Sequence, residues 1–451
     1  MLSLQDVLQA TGGRLLFKGA EAFSGVSIDS RSIRDGELFF ALRGARFDGH
    51  DFLSEALQRG LGAVVSIPPL EPLRGKSIIH VGNTLRALQA LARYLRLQYP
   101  EMPVVGITGS NGKTTTKEMA ALVLSARFRV LKSSGNLNNH IGLPLNLTAL
   151  TQEHQVAVLE MGASAPGDIQ ELCQIARPTH GVLTCIAQSH LEGFGSIGAI
   201  LRTKMELSAF VHTLIYNADD PMLREAVKGL RGKHLLSYGL NGAEADVRAR
   251  HLVLEPWGSR FVLLLEGREA AQVRLQVPGR FNVLNALAAV ATGLCFGLAP
   301  EEMARALEDF QGVPLRYEVR EFQGATLLSD VYNANPGSME EALKELVRLR
   351  RSRAVAVLGD MLELGSYAPS AHQRLGAWMR TLPVELFIAV GPLMAQAAQE
   401  FARDGRRAIC VKDALEAKKV LMEHFRAGDT ILVKGSRGMH MERILEGGHA
   451  V

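Results

Sequence analysis

The sequence predicts an α/β protein of three domains: a small α/β N-terminal domain, a central doubly wound P-loop-type parallel sheet, and a Rossmann-like C-terminal domain. Three observations carry this expectation. At 451 residues the chain is longer than one hydrophobic core supports. Apolar runs of strand length alternate with helix-period segments from end to end. One such run, starting at Pro103, ends in a glycine-rich turn that opens directly into a helical pattern at Lys113 and Thr114. The expected boundaries are residues 1–100, 101–313 and 314–451.

In the first hundred residues the strand candidates are Gly25–Asp29, Glu37–Leu42, Ala63–Ser66 and Ile78–Val81, with helices over Phe52–Arg59 and Thr84–Leu97. Two polar loops lie between them, Asp29-Ser30-Arg31-Ser32 and Arg43-Gly-Ala-Arg46-Phe47-Asp48-Gly-His50. By local pattern alone these are ordinary turns. Pro100 and Pro103 mark a linker.

The central stretch repeats a strand-helix pattern. Thr108-Gly109-Ser110-Asn111-Gly112-Lys113-Thr114-Thr115 has the make-up of a phosphate cradle: loop amides and a helix N-terminus face the anion, lysine adds mobile charge, and a threonine hydroxyl can ligate magnesium. A helix N-terminus repels cations, so Lys113 is poorly placed as a merely structural lysine. The next strands, Gln155–Leu159 and Gly181–Ile186, run into Glu160 and, a few residues on, His190. Donors past the carboxyl ends of parallel strands face the ligand crevice, so Thr114, Glu160 and His190 form a candidate magnesium site. A helix from about Ser196 to Phe210 carries Lys204, which by itself reads as a solvated helical lysine. Asp246–Val277 alternates as antiparallel strands, and a helix opens at Gly279.

The last portion returns to strand-helix alternation, with strands at Ala325–Asp330, Ala354–Gly359, Glu385–Gly391, Ala408–Val411 and Thr430–Lys434. Polar residues again follow strands, chiefly Asp330 to Asn335 and Lys434 to Arg437.

Composition excludes several classes. Lys plus Arg number 50 and Asp plus Glu 46, interspersed, which gives no electrostatic case for nucleic acid or an anionic membrane surface. No apolar stretch reaches the ~20 residues of a spanning helix, and the start shows no signal-peptide pattern, so the expectation is a cytoplasmic protein without membrane insertion. Four scattered cysteines without a C-x-x-C pair suit inert thiols in a reducing compartment.

Taken together, the motifs resemble the Mur ligase family. The family pattern is carried by Thr108-Gly-Ser-Asn-Gly-Lys-Thr, Glu160-Met-Gly, His190-Leu, Lys204-Met-Glu, Asn282-Val-Leu-Asn, Arg316 and Asp330. Asp29-Ser-Arg, Phe47-Asp-Gly-His, Asn136-Leu-Asn-Asn, Tyr332-Asn-Ala-Asn-Pro, Leu358-Gly-Asp-Met-Leu-Glu-Leu-Gly and Lys434-Gly-Ser-Arg-Gly-Met resemble one branch of it, the one that adds D-alanyl-D-alanine to UDP-N-acetylmuramoyl-tripeptide.

The resemblance implies an ATP-dependent amide ligase working through an acyl phosphate, as a monomer. It implies two Mg2+ ions held by Thr114, Glu160, His190 and Lys204, the last carbamylated by CO2, with Lys113 at the phosphates. Asn282 falls to the adenine, Arg316 to the phosphates and Asp330 to the ribose. Ser30, Arg31, Arg46 and Asp48 fall to the uridine nucleotide, and Asn333, Asn335, Lys434, Ser436 and Arg437 to the dipeptide or acyl phosphate. Three positions depart from the family pattern: Phe281 replaces a histidine, Ser329-Asp330-Val331 keeps one carboxylate of two, and His140 stands where an acid is common. A sister ligase for a single amino acid, or a folate polyglutamate ligase, is the nearest rival; Tyr332-Asn-Ala-Asn-Pro argues against both. An ATP-driven switch leaves the outer domains unexplained, and an inactive scaffold would not keep Lys113, Thr114, Glu160, His190 and Lys204 together.

Overall fold

The computed structural model describes residues 1–44, 46–69, 71, 74–241 and 244–446. Among these residues, sheets of five, nine and six strands follow one another along the chain, with a two-stranded ribbon at the start.

The five-stranded sheet runs Arg14–Phe17, Ser77–His80, Gly62–Val65, Leu38–Phe40, Val26–Ser27, antiparallel at the first pair and parallel after it. The chain also forms an early helix, Leu4–Thr11, that hydrophobic periodicity did not flag. Ser3 begins it with a capping box, its hydroxyl accepting from Asp6 N–H while Asp6 accepts from Ser3 N–H. The signal was local chemistry, Ser3-Leu-Gln-Asp6, rather than period.

The nine-stranded sheet places Val104–Thr108 between Val156–Glu160 and His180–Leu183. It is parallel from Val130–Lys132 through Val247–Leu254 and closes with the antiparallel strands Ser259–Leu265 and Arg268–Leu275. Successive residues of a strand point to opposite faces. Val105 and Ile107 accordingly enter a core with the helices Lys113–Ser125, Arg280–Cys295 and Pro300–Glu308, while Val104 enters the opposite core with Gly142–Leu147 and Asp168–Ala176. Burial on both faces explains the nearly unbroken apolar runs of these strands.

The six-stranded sheet runs Glu318–Phe322, Ala325–Asp330, Thr430–Lys434, Ala354–Gly359, Leu386–Val390, Ala408–Val411. All its pairs are parallel except the first, whose edge strand Glu318–Phe322 is not apolar enough to be read from the sequence.

Candidate active site

Strand order builds the site. The loop after Val104–Thr108 is flanked by the ends of both neighbouring strands, which brings Glu160 to one side of it and the segment 184–190 to the other. Gly109 and Gly112 have φ of 148° and 80°, and a Cβ would lie 1.9 Å from Thr184 Oγ1 at the first and 2.6 Å from Asn285 Oδ1 at the second. Only glycine permits both the turn and that approach. Lys113 Nζ folds back to donate to the carbonyls of Gly109 (2.9 Å) and Ser110 (3.1 Å), and burial pushes its pKa down.

Beside the lysine are two buried oxygens without a hydrogen-bond partner among the described residues, Thr114 Oγ1 and Glu160 Oε2. Buried polar atoms are otherwise almost always bonded, so such a pair marks a place for something else. Glu160 itself is held firmly: Asn138 Nδ2 donates to Oε1 at 2.7 Å, and Ser133 Oγ receives Glu160 N–H at 3.0 Å. Two hard oxygens on fixed elements fit magnesium, which takes one or two protein oxygens and keeps waters or phosphates for the rest.

His190 lies at the start of the short helix Leu191–Phe194 with a left-handed backbone, φ 51°, and its Nδ1 is 2.6 Å from Glu363 Oε2. The histidine holds the Glu363 carboxyl below its ordinary range. Lys204, on the helix Ile197–Met205, is not solvated: it is 2% exposed, with Nζ 5.6 Å from the centre of the Phe194 ring. Burial, and secondly the charge of Lys113, lower its pKa to about 7. The expectation from helical position fails because the lysine is buried, with its amine over the Phe194 ring.

The C-terminal domain supplies the facing wall. Arg316 stacks its guanidinium 3.8 Å from the centre of the Tyr332 ring. Asp330 pairs through Oδ2 with the buried Lys434 ammonium and accepts from Tyr317 N–H through Oδ1, at 3.2 Å. Lys434 also donates to the Asn333 carbonyl at 2.9 Å. Asn335 caps the helix Pro336–Leu349 and meets Asn111 of the glycine loop in a reciprocal amide pair, at 2.7 and 3.3 Å. Phe281 packs edge-to-face on Tyr317, ring centres 4.8 Å apart, an apolar contact between the domains at the position where the family pattern has a histidine.

These walls enclose a cavity of about 860 Å³. Of the residues singled out by sequence, Ser110, Asn111, Gly112, Lys113, Thr114, Thr115, Glu160, His190, Asn282, Arg316, Asp330, Asn333, Asn335 and Lys434 line it. Thr108 and Gly109 lie behind the loop, where the Thr108 hydroxyl donates to the Met161 carbonyl at 2.7 Å. Lys204 lies off the wall. Ser436 is buried between Leu362 N–H and the Ala334 carbonyl, and Arg437 turns to Glu442, so neither reaches the cavity. Ser30, Arg31, Arg46 and Asp48 sit elsewhere, on the N-terminal domain: Ser30 bonds Glu55, Arg31 pairs with Asp29, Asp48 binds Arg43 and His50, and Arg46 is exposed.

Sequence reasoning passed over Asn138, Asn285 and Glu363, all on the cavity wall. Asn285 was legible, one helical turn past Asn282 on the same face. Glu363 was visible only inside a longer motif.

Three family models match along the chain: Mur ligase family, catalytic domain, over residues 22–95; Mur ligase middle domain over 107–293; and Mur ligase, glutamate ligase domain, over 315–437. A UDP-N-acetylmuramoyl-tripeptide--D-alanyl-D-alanine ligase of Bacillus subtilis is 37% identical, the match covering 94% of this chain and 92% of that one. The protein of the same name from Escherichia coli is 33% identical over 98% of this chain and 97% of its own length. Among solved structures, a MurF of Acinetobacter baumannii superposes with a TM-score of 0.89 at 32% identity over 98% of both chains. MurF ligase of Thermotoga maritima in complex with ADP gives 0.81 at 31% identity over 94% of this chain and 96% of that one.

Proposed function

The chain belongs to the Mur ligase family, and from that premise we propose that it is the ATP-dependent ligase that joins D-alanyl-D-alanine to UDP-N-acetylmuramoyl-tripeptide, making the pentapeptide precursor of peptidoglycan. ADP and phosphate are the other products. The observation that carries the reading is the cavity between the two nucleotide-facing domains, with Thr114 Oγ1 and Glu160 Oε2 buried and unpartnered beside Lys113.

A carboxylate is a poor acylating agent, so the tripeptide's terminal oxygen first attacks the ATP γ-phosphate and becomes an acyl phosphate. The dipeptide amine then attacks the acyl carbon and phosphate leaves. Bringing two anions together requires concentrated positive charge and fixed donors at the transferring group. The loop amides from Gly109 to Thr115 cradle the phosphates, and Lys113 exchanges its two loop carbonyls for phosphate oxygens. Arg316 supplies a second cation from the facing domain, and Asn282 lines the adenine end. Asp330 reaches the ribose from its pairing with Lys434, which with Asn333 faces the acyl phosphate and incoming dipeptide.

Thr114 and Glu160 would hold one magnesium ion, and His190 and a carbamylated Lys204 a second, which would supply positive charge against the phosphates. Carbamylation needs an uncharged amine, and a Lys204 titrating at about 7 offers one near neutral pH. The lone pair of the neutral amine bonds to the carbon of CO2 and the nitrogen gives up one proton, so that a neutral amine becomes a carbamate anion that a hard cation would accept. Ser30, Arg31, Arg46 and Asp48 take the uridine nucleotide, with the Arg31 side chain largely exposed although paired with Asp29. The enzyme acts as a cytoplasmic monomer.

The test is phosphate release by the purified full chain with ATP and Mg2+. It should require UDP-muramoyl-tripeptide and D-Ala-D-Ala together, and release with a single amino acid but none with the dipeptide overturns the substrate assignment. Lys204→Ala should be nearly inactive and partly restored by small carboxylic acids; full activity of that variant sinks the carbamate.

A further inference from the structure

Two side-chain-bearing residues with left-handed backbone meet on the cavity wall: His190 at φ 51° and Glu363 at φ 62°. That conformation is strained for residues with a Cβ and persists where the surroundings over-determine it. Glu363 follows the strand Ala354–Gly359 of the C-terminal domain; its carbonyl accepts from Glu192 N–H at 3.1 Å, and its Oε2 lies 2.6 Å from His190 Nδ1. Glu192 belongs to the short helix that His190 begins. One loop of the C-terminal domain therefore grips that helix by backbone and side chain at once, and both His190 and Glu363 line the cavity.

The chemistry of the contact fixes a proton. An ionised carboxylate can only accept, so Nδ1 is the donor, and a neutral imidazole then carries its lone pair on Nε2. Carboxylates that take the far N–H of a metal-binding histidine set its tautomer and orientation in this way. We propose that Glu363 is a positioning residue: it holds His190 in the Nδ1–H tautomer, leaving Nε2 free to ligate or accept at the reacting site, and it does so only when the C-terminal domain is seated on the central one. The use made of Nε2 rests on the ligase reading above, whereas the tautomer does not. Strain at both residues fits such a role, because strained backbone persists where surrounding contacts hold it.

Glu363 has a side chain 58% exposed, so its replacement leaves the cores intact. The experiment compares the parent chain with Glu363→Ala and Glu363→Gln by 15N NMR of histidine-labelled protein, using His190→Ala to assign the resonance, and by the magnesium requirement of phosphate release. The parent should show the Nδ1–H form. Glu363→Ala should shift His190 toward the Nε2–H form that free imidazole prefers and raise the magnesium needed for half-maximal rate about 10–100-fold. Glu363→Gln, whose amide oxygen still accepts, should keep most of the parent's tautomer and magnesium response. An unchanged tautomer or an unchanged magnesium requirement in Glu363→Ala overturns the proposal. The ligase reading would fail in the parent protein, this one only in the variant.

Discussion

The two seams that join the central domain to its neighbours are built from different chemistry. On the N-terminal side, the helix Thr84–Leu97 packs on Gly142–Leu147 and Asp168–Ala176; Ala92 is part of a central-domain core and Ile141 packs against an N-terminal one. Arg96, 3% exposed, donates from this helix to the carbonyls of Ala176 and Met102, both at 3.0 Å. On the C-terminal side the contacts are mostly polar pairs on the cavity wall: Asn111 with Asn335, His190 with Glu363, and, away from the cavity, Arg348 donating to the Leu254 carbonyl at 3.1 Å. An apolar seam stapled by a buried guanidinium is costly to open, because it exposes apolar area and leaves charge and carbonyls unpaired. A seam of polar side chains exchanges its partners for water at little net cost. The first seam fixes the N-terminal domain on the central one; the second can open at a lower cost.

The largest expected effect lies in the cavity that the polar seam borders. Glu160→Gln keeps the hydrogen bond from Asn138 but weakens the unpartnered oxygen, and should lower kcat by about a hundredfold or more, with the thermal midpoint nearly unchanged. Loss of folding alongside activity would make Glu160 a structural residue and blur the contrast between the seams.

Next comes Arg96→Ala. It should lower unfolding free energy by about 2–4 kcal/mol, the cost of stranding buried carbonyls and losing a packed side chain, while kcat stays near the parent value. Urea titration with parallel rate measurements checks this, and a large change in kcat at unchanged stability would break the comparison. Asn335→Ala should cost only about 1 kcal/mol for the lost helix cap, yet shift the free protein toward a wider domain arrangement in solution scattering. No change in scattering would show that the amide pair does not restrain the seam.

The smallest effect lies away from both seams, at the foot of the central sheet. His180 touches His212 and Phe296, with ring centres 5.0 and 4.9 Å away, and burial, helped by the nearby His212 and His234, lowers its pKa to about 4. Between about 4 and its ordinary 6.5 the unfolded chain binds more protons than the folded one, so stability is lost as pH falls through that window. His180→Gln should flatten the slope there without altering either seam; an unchanged slope would put acid sensitivity elsewhere.

Much of the site was legible because its signals are local. Glycines before a lysine and threonine at a helix start, and a carboxylate just past a strand, state their chemistry within a few residues. Lys204 was not legible, since a helix tells which face a residue is on but not what covers that face. Asn335 and Ser436 read as ligand donors, but each satisfies backbone groups, Asn335 at a helix start and Ser436 between two loops. Glu363 stands inside a longer motif that gives it no role by itself; its meaning comes from His190, in another domain.

By itself, the sequence determined the succession of strands and helices, the phosphate loop and the inventory of charged and amide groups, because apolar period, glycine and capping chemistry act over neighbouring residues. Only the tertiary structure decided the strand order that sets Val104–Thr108 between the strands leading to Glu160 and His190. It alone decided the burial that lowers the pKa of Lys204 to about 7, and the two unlike seams. Those depend on which surfaces meet, and burial, dielectric and pairing are properties of contacts between distant segments.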